Sequence, residues 1–427
     1  MNARTELVNH DVAPGPLKHC QITGSDNLNL VIDLGHQPPC DTLPDRAGLD
    51  QPEQTFPLRL FHCPDSGLAQ LDYAVAGELL YPASYPYRGG ISWPVVEHHK
   101  ELAATICQRI GATPQTLVVD IGSNDGTLLA QFKAHDVHVL GVEPTDVAKI
   151  AIAENHVPTR QAFFTEAIAR EIVADEGHAD VITTTSVFAH MATLGEVMRG
   201  IAVLLAKKGV FVIETHYLLN VLAENQFDTV YHEHLRTYSL KSLCALFPQY
   251  GMEVFHAERT NRYGGDLRAW VGWQGGHDVT DDVNAMLRHE DTIGLHRPEV
   301  WAKWRDSVLM QRDSLMHFLH AQRAAGRRVA GVSCPGRCST LLNFYGIGPD
   351  LIEYLGELPT SLKLGKYLPG RHIPVVSNQA FRDPATAPDV LVLMAWHYGR
   401  QIVERLRREG LKQPIVYPLP EFKVVEA

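Results

Sequence analysis

The densest group of titratable side chains in this chain is the run Tyr231-His-Glu-His234. Its two histidines directly flank the glutamate, so they lack the i, i+4 spacing of the zinc-protease sequence H-E-x-x-H. An unperturbed histidine titrates near neutrality and can take a proton from a reacting atom. The run therefore indicates general base chemistry, with His234 as the base and Glu233 or Tyr231 as the side chain that orients it.

Three further side chains could stabilise a developing negative charge. His190 follows a predicted strand at Ala179–Thr184, and ligands bind at the carboxyl ends of strands in α/β sheets. Tyr85 and Tyr87 belong to a turn-rich aromatic segment. Ordinary packing is the alternative interpretation for the tyrosines, and a backbone-satisfied helix terminus is the alternative for His190.

The stretch Leu117–Leu129, LVVDIGSNDGTLL, has the strand, glycine turn and helix order of a nucleotide-binding unit. Gly122 removes a Cβ that would block a cofactor, and Asn124 replaces the second glycine of a dinucleotide fingerprint. Glu143 follows at 143 − 122 = 21 residues, where an acid can accept both ribose hydroxyls. The pattern favours S-adenosylmethionine or NAD, with a Rossmann-like turn of no such function as the alternative.

The elements around this turn predict an α/β fold. Strand-like and helix-like patterns alternate from about residue 95 to residue 214, which indicates a mostly parallel, doubly wound sheet. Residues 281–326 are predicted to be helical, with Trp301, Trp304, Met310 and Leu315 in the core. A second α/β unit begins near Arg328, and its glycine turn at 334–340 could face a phosphate. With 427 residues the chain has room for two or three domains.

A small β-rich region precedes the predicted core and contains two matching segments that begin at Cys20 and Cys63. A pair of C-x-x-C knuckles would be a strong signal for tetrahedral zinc. Thr23 and Ser66 stand where the second cysteine ligand of each knuckle is expected, and a neutral hydroxyl is a poor zinc ligand. We therefore expect a metal-free knuckle fold, unless further donors are recruited from His19, His36, Cys40 or His62.

Composition narrows the classes of partner. The net charge is −11 and there is no block of like charges, which disfavours nucleic acid. The chain lacks an apolar run of about 18 residues and a signal-peptide core, so we expect no membrane association and a cytoplasmic location. Seven cysteines are consistent with reduced thiols. We expect a monomer or a dimer.

The order of motifs resembles the sugar C-methyltransferase family of deoxysugar biosynthesis, whose members methylate C-3′ of nucleotide-linked 4-keto sugars. The similarity runs from Cys20 to about Leu411, and its most specific motifs are DLGHQP (33–38), YPYRGG (85–90), DIGSNDGTLL (120–129), GVEPT (141–145), YHEHL (231–235), YGGDLR (263–268), NFYGIGPDLIEY (343–354) and PGRHIPV (369–375). The resemblance implies a flexible tail (1–18), a zinc-knuckle-like domain (19–80), a class I, Rossmann-like methyltransferase core (81–275) and an α/β C-terminal domain with a helical lead-in (276–427).

The resemblance also implies a set of site residues. Catalysis is expected to involve His234, Glu233, His190, Tyr231, Tyr85 and Tyr87. Contacts with S-adenosylmethionine are expected from Asp120, Gly122, Ser123, Asn124, Gly126, Glu143, Pro144, Phe163 and Ser186. The nucleotide sugar is expected to contact Arg337, Ser339, Asn343, Lys366, Arg371 and His397.

Methylation of carbon requires that a C–H bond next to a ketone first lose its proton. We expect His234 to remove it, Glu233 to orient His234, and His190 with Tyr85, Tyr87 or Tyr231 to stabilise the enolate, without a catalytic metal. The alternatives are an O- or N-methyltransferase of a nucleotide sugar, a NAD-dependent dehydrogenase or epimerase, and a binding protein with an inactive methyltransferase fold. Asn124 disfavours the dehydrogenase or epimerase, because it interrupts the glycine fingerprint. Glu143 and the run Tyr231–His234 disfavour the inactive binding protein.

Overall fold

The computed structural model describes residues 8–83 and 85–426, with the side chain of Tyr263 left out. Its N-terminal region is a small antiparallel sheet, as the alternating sequence predicts. The elements are β1 (Gly15–Pro16), β2 (Asn29–Gln37), β3 (Phe56–Cys63), β4 (Leu68–Leu71), β5 (Tyr73–Ala74) and α1 (Gly77–Leu80). β2, β3 and β4 pair in that order, and a strand from the core, Arg236–Thr237, completes the sheet beside β4. The N-terminal region and the core therefore share backbone hydrogen bonds.

The core has a seven-stranded sheet with the order β12-β13-β10-β9-β6-β7-β8. β8, β7, β6, β9 and β10 are parallel to their neighbours, and β13 is antiparallel to both β10 and β12. The predicted doubly wound, mostly parallel sheet is thereby confirmed. Its elements are α2 (Trp93–Ile110), β6 (Leu117–Ile121), α3 (Thr127–Lys133), β7 (His138–Val142), α4 (Val147–Ala153), β8 (Thr159–Arg160), α5 (Glu166–Glu176), β9 (Ala179–Thr185), α6 (Leu194–Leu204), β10 (Leu205–His216), α7 (Leu218–Ala223), β11 (Arg236–Thr237), α8 (Leu240–Leu246), β12 (Met252–Thr260) and β13 (Asp266–Trp273).

Two helices lead into a second α/β sheet with the order β16-β15-β14-β17-β18-β19, parallel except at β19. The elements are α9 (Asp281–Thr292), α10 (Pro298–Ala324), β14 (Val329–Val332), α11 (Gly336–Tyr345), β15 (Leu355–Glu357), β16 (Val375–Ser377), β17 (Val390–Leu393), α12 (Gly399–Arg408), β18 (Ile415–Tyr417) and β19 (Lys423–Val425). Trp301, Trp304 and Leu315 are buried as predicted, whereas Met310 is 61% exposed because it lies on the outer face of α10. No helix in the described ranges combines the length and apolarity needed to cross a membrane.

Residues 8–18 differ from the loose tail that the sequence predicted, while residues 1–7 lie outside the described part. His10 is buried, and its Nε2 donates to the carbonyl oxygen of Ile22 at 3.0 Å. Asp11 accepts from the backbone N–H of Glu196, in the first turn of α6, at 2.8 Å. The physical reason is that helix N-termini have unpaired N–H groups, and a carboxylate from elsewhere in the chain can pair with one of them.

Candidate active site

Three histidines meet at the carboxyl ends of β9 and β10. His190 ends a 3₁₀ turn after β9, and His216 is the last residue of β10, which is parallel to β9. The ring centroid of His234, in the loop before β11, is 4.9 Å from that of His190 and 4.9 Å from that of His216. His216 is not among the residues predicted from the sequence, although its position two residues after the strand residue Glu214 could have indicated it.

A hydrogen bond determines which ring nitrogen of His234 carries the proton. Nδ1 lies 2.6 Å from the carbonyl oxygen of Thr229, and a carbonyl oxygen can only accept a hydrogen bond. Nδ1 therefore carries the proton, and Nε2 keeps the lone pair that a general base needs. Burial lowers the pKa of His234 to about 4, and the positive charge of Arg337 also lowers it. The ring is therefore neutral at pH 7.

Glu233 does not orient His234, contrary to the prediction from the sequence. Its carboxyl group accepts hydrogen bonds from the Tyr85 hydroxyl at 3.0 Å and from the Cys40 thiol at 3.4 Å. The physical reason is that the two adjacent side chains leave the loop in different directions. Burial raises the pKa of Glu233 to about 8, and the nearby Asp41 carboxylate adds to this effect. Glu233 is therefore mostly protonated at neutral pH.

The three candidate tyrosines differ in position. The ring centroid of Tyr231 is 4.0 Å from that of His234, and Tyr85 contacts Glu233. Tyr87 is 40% exposed, so its ring differs in environment from the other two. The structure thus brings Tyr85 and Tyr231 to the catalytic candidates.

The loop that carries Tyr87 packs against the predicted cofactor turn. The carbonyl oxygen of Tyr87 accepts from Asn124 Nδ2 at 3.2 Å, and the backbone N–H of Gly89 donates to Asn124 Oδ1 at 2.9 Å. The backbone N–H of Gly90 donates to Asp125 Oδ2 at 3.0 Å. The aromatic loop and the glycine turn therefore form one contiguous region.

The polar groups around Glu143 suit S-adenosylmethionine. The Glu143 carboxylate is buried and accepts from the backbone N–H of Asn124 and from the N–H and hydroxyl of Thr145. The side-chain oxygens of Ser123 and Ser186 are buried and have no hydrogen-bond partner among the described residues. Because buried polar atoms normally have partners, these hydroxyls fit contacts with the polar groups of a bound cofactor.

Gly122 is required for a reason that the sequence did not reveal. Its φ is +73°, and a Cβ at this position would lie 2.6 Å from the side chain of Val187. Packing within the protein, in addition to any cofactor, therefore excludes larger residues. Of the other predicted cofactor residues, Asp120 accepts from the Thr183 hydroxyl at 2.7 Å inside the sheet, and Phe163 is 51% exposed.

Arg337 has a different environment from that expected of a phosphate ligand. Its Nε and Nη2 donate to the two carboxylate oxygens of Asp228 at 2.9 and 2.7 Å. Nη2 also contacts Gln226 Oε1 at 3.2 Å, and Nη1 lies 3.2 Å from His397 Nδ1. The guanidinium is buried and faces acceptors from the protein itself, because the C-terminal domain packs against residues 226–228 of the core.

The remaining predicted sugar contacts surround one loop. Asn343 Nδ2 donates to the carbonyl oxygens of Ser339 and Pro369 at 2.9 and 3.0 Å. Arg371 Nη2 donates to the carbonyl oxygen of Asn343 at 3.0 Å, and Lys366 is partly exposed nearby in sequence. These contacts attach the loop at 369–371 to α11, and contact with a nucleotide sugar stays a prediction for these residues.

The knuckle residues do come together, but they do not fit a structural zinc ion. Cys20 Sγ lies 3.2 Å from Ser66 Oγ, and the neighbouring Cys63 and Ser66 side chains lower the pKa of the Cys20 thiol. A structural zinc site needs four donors, and the knuckles supply only two thiols together with two neutral hydroxyls, which are poor zinc ligands. Elsewhere in the described ranges, Cys40, Asp41 and Glu233 have ligand atoms close together, but Asp41 is already paired with Lys363 at 2.6 Å.

Comparisons with known proteins match these regions. Residues 20–81 match a family described as "Putative zinc binding domain", residues 96–257 a methyltransferase domain, and residues 261–420 a C-methyltransferase C-terminal domain. The chain is 31% identical to C-methyltransferase NovU of Streptomyces niveus over 96% of this chain and 98% of that protein. Similar solved structures include a SAM-dependent methyltransferase from Anabaena variabilis (15% identity, TM-score 0.32, 40% of this chain and 83% of that chain) and magnesium protoporphyrin IX methyltransferase from Synechocystis (13%, 0.31, 41% and 78%).

Proposed function

This chain belongs to the family of S-adenosylmethionine-dependent C-methyltransferases, and we propose that it methylates C-3′ of a nucleotide-linked 4-keto deoxysugar. A carbon next to a ketone becomes nucleophilic when a base removes its proton, because the ketone oxygen takes up the negative charge. S-adenosylmethionine, when bound, supplies an electrophilic methyl group. The observation that carries the proposal is the neutral, buried His234, whose Nε2 lone pair is available as a base.

In the proposed reaction, Nε2 of His234 takes the C-3′ proton and the pair of electrons from the C–H bond moves into the enolate. The ring then carries a positive charge. Burial disfavours that charge, as the lowered pKa of His234 indicates. The enolate that forms beside the ring has the opposite charge, and an opposite charge within a few ångströms favours the protonated ring. The enolate carbon would form its bond to the methyl group as the C–S bond of S-adenosylmethionine breaks, and the sulfur would keep that electron pair as S-adenosylhomocysteine.

We propose that His190 and Tyr231 donate hydrogen bonds to the enolate oxygen, because the single hydroxyl hydrogen of Tyr85 is already donated to Glu233. Nε2 of His190 is buried and has no hydrogen-bond partner among the described residues. Tyr81 is not among the residues predicted from the sequence. Its ring centroid lies 5.9 Å from that of His190 and 5.7 Å from that of Tyr85, so it can hold both rings in place. Donors fixed before the reaction stabilise a developing oxyanion without reorganisation.

Methylation of a hydroxyl or amine of the same kind of substrate is the alternative within the family's chemistry. O-methylation and N-methylation do not require removal of a proton from carbon. An enzyme of either kind would therefore not exchange the hydrogen next to the ketone. A NAD-dependent dehydrogenase or epimerase is not retained, because the chain is a methyltransferase.

The test uses His234→Ala, with His232→Ala as the matched control. His232 is buried in the same run and its pKa is also lowered to about 4 by burial, but its Nε2 contacts the carbonyl oxygen of Phe56. With a panel of nucleotide 4-keto deoxysugars, His234→Ala should lower turnover by about 10²-fold or more. In deuterated water with S-adenosylhomocysteine, the wild type and His232→Ala should wash deuterium into C-3′ and His234→Ala should not. Exchange by His234→Ala at the wild-type rate would show that a group other than His234 is the base.

A further inference from the structure

Helix α11 of the C-terminal domain is attached to the loop that carries Thr229. Arg337, in its first turn, forms the bidentate pair with Asp228. Thr340, almost one turn later, donates from Oγ1 to the carbonyl oxygen of Val230 at 3.0 Å. The helix therefore holds both chain neighbours of Thr229, one on each side.

These attachments lie in the interior. Asp228, Thr229 and Thr340 are at most 1% exposed, so water does not compete for their hydrogen bonds. Trp396 reinforces the ion pair, since its ring centroid is 4.9 Å from the guanidinium of Arg337 and its Nε1 donates to Asp228 Oδ2 at 2.8 Å. Bidentate pairs between arginine and carboxylate fix orientation as well as distance.

We infer that Arg337 and Thr340 are positioning residues for the base, because they fix the carbonyl group of Thr229 that holds the proton of His234 on Nδ1. This inference rests on the proposed role of His234. If the carbonyl group moves, Nδ1 loses its acceptor and the proton can move to Nε2, which removes the lone pair. The C-terminal domain thus completes the catalytic site of the core in addition to any contact with the nucleotide sugar.

Two substitutions weaken the attachments separately. Thr340→Val keeps the shape of the side chain but removes the donor to Val230, and Thr340→Ser keeps the donor. Arg337→Lys keeps the charge but cannot form the bidentate pair with Asp228. Because a misplacement of about 1 Å can cost about 10²-fold in rate, we expect kcat to fall by about 10-fold or more in Thr340→Val and Arg337→Lys, with KM within about 2-fold.

Matched controls exist within the C-terminal domain. The Thr386 hydroxyl also donates to a backbone carbonyl oxygen at 3.0 Å, that of Ala380. Arg328 also pairs with a carboxylate through Nε and Nη2, that of Glu353, at 2.9 and 2.6 Å. Thr386→Val and Arg328→Lys therefore remove the same kinds of bond at a distance from the loop, and thermal unfolding of all variants reports their structural cost.

The measurement is deuterium wash-in at C-3′ with S-adenosylhomocysteine, alongside kcat and KM. The inference is supported if Thr340→Val and Arg337→Lys exchange slowly, Thr340→Ser restores exchange, and both controls exchange like the wild type. It is overturned if Thr340→Val exchanges as fast as Thr386→Val while His234→Ala does not exchange, and the base assignment then stands. Exchange by His234→Ala at the wild-type rate overturns the base assignment itself. If Arg337→Lys fails to fold, the comparison of Thr340→Val with Thr340→Ser still tests the inference.

Discussion

Glu143→Ala should weaken the binding of S-adenosylmethionine by about 1.5 to 3 kcal/mol, or about 10- to 150-fold in Kd. The carboxylate accepts from Asn124 N at 3.0 Å, from Thr145 N at 2.9 Å and from Thr145 Oγ1 at 2.6 Å. Two of these bonds occupy Oε1, so Oε2 retains an acceptor position for a ribose hydroxyl. The expected loss is therefore that of one charge-assisted hydrogen bond.

The same substitution leaves the backbone N–H groups of Asn124 and Thr145 without their acceptor, so it should also lower thermal stability. Thr145→Val is the matched control, because it removes the 2.6 Å bond to Glu143 without removing a predicted cofactor contact. Titration calorimetry with S-adenosylmethionine and thermal unfolding are measured on both variants. A Kd within about 2-fold of wild type in Glu143→Ala, or an equal loss of affinity in Thr145→Val, would refute the ribose assignment.

Elemental analysis should find less than one equivalent of zinc in the purified protein, because the knuckles supply two thiols and two hydroxyls. The double variant Thr23→Cys/Ser66→Cys should gain a full equivalent, and stoichiometric zinc in the wild type would contradict the prediction. Burial raises the pKa of Glu233 to about 8, so the folded protein binds this proton more tightly than the unfolded chain. The free energy of unfolding should therefore fall as the pH rises from about 4.3 towards 8, and Glu233→Gln should flatten this dependence in denaturant titrations. An equally steep dependence in that variant would assign it to other groups.

Local patterns in the sequence predicted the parts of the site that one βα unit supplies. The spacing of Gly122 and Glu143 reflects the length of a strand, a turn and a helix, so both residues can be found without knowledge of the rest of the fold. The alternation of strands and helices predicted the parallel sheet for the same reason. His190 could be placed near the carboxyl end of β9 because it follows the predicted strand Ala179–Thr184 by six residues.

Hydrogen-bond partners in the site were decided by the tertiary structure. His234 is oriented by a backbone carbonyl group, that of Thr229, and every residue has such a group, so the sequence contains no signal for it. Glu233, adjacent to His234, instead contacts Tyr85 and Cys40, which are 148 and 193 residues away. A buried polar group must find a partner, and the fold determines which groups come within hydrogen-bond distance.

Arg337 illustrates the same division between sequence and structure. The sequence placed it in a glycine turn that could face a phosphate, and α11 does begin in that turn. Its partner Asp228 lies 109 residues earlier, in a different domain, and becomes available because the C-terminal domain packs on the core. Sequence alone therefore determined the elements, the glycine turn and the identity of the candidate base. The packing of the domains determined which carboxylate pairs with Arg337, since that ion pair exists where two buried surfaces meet.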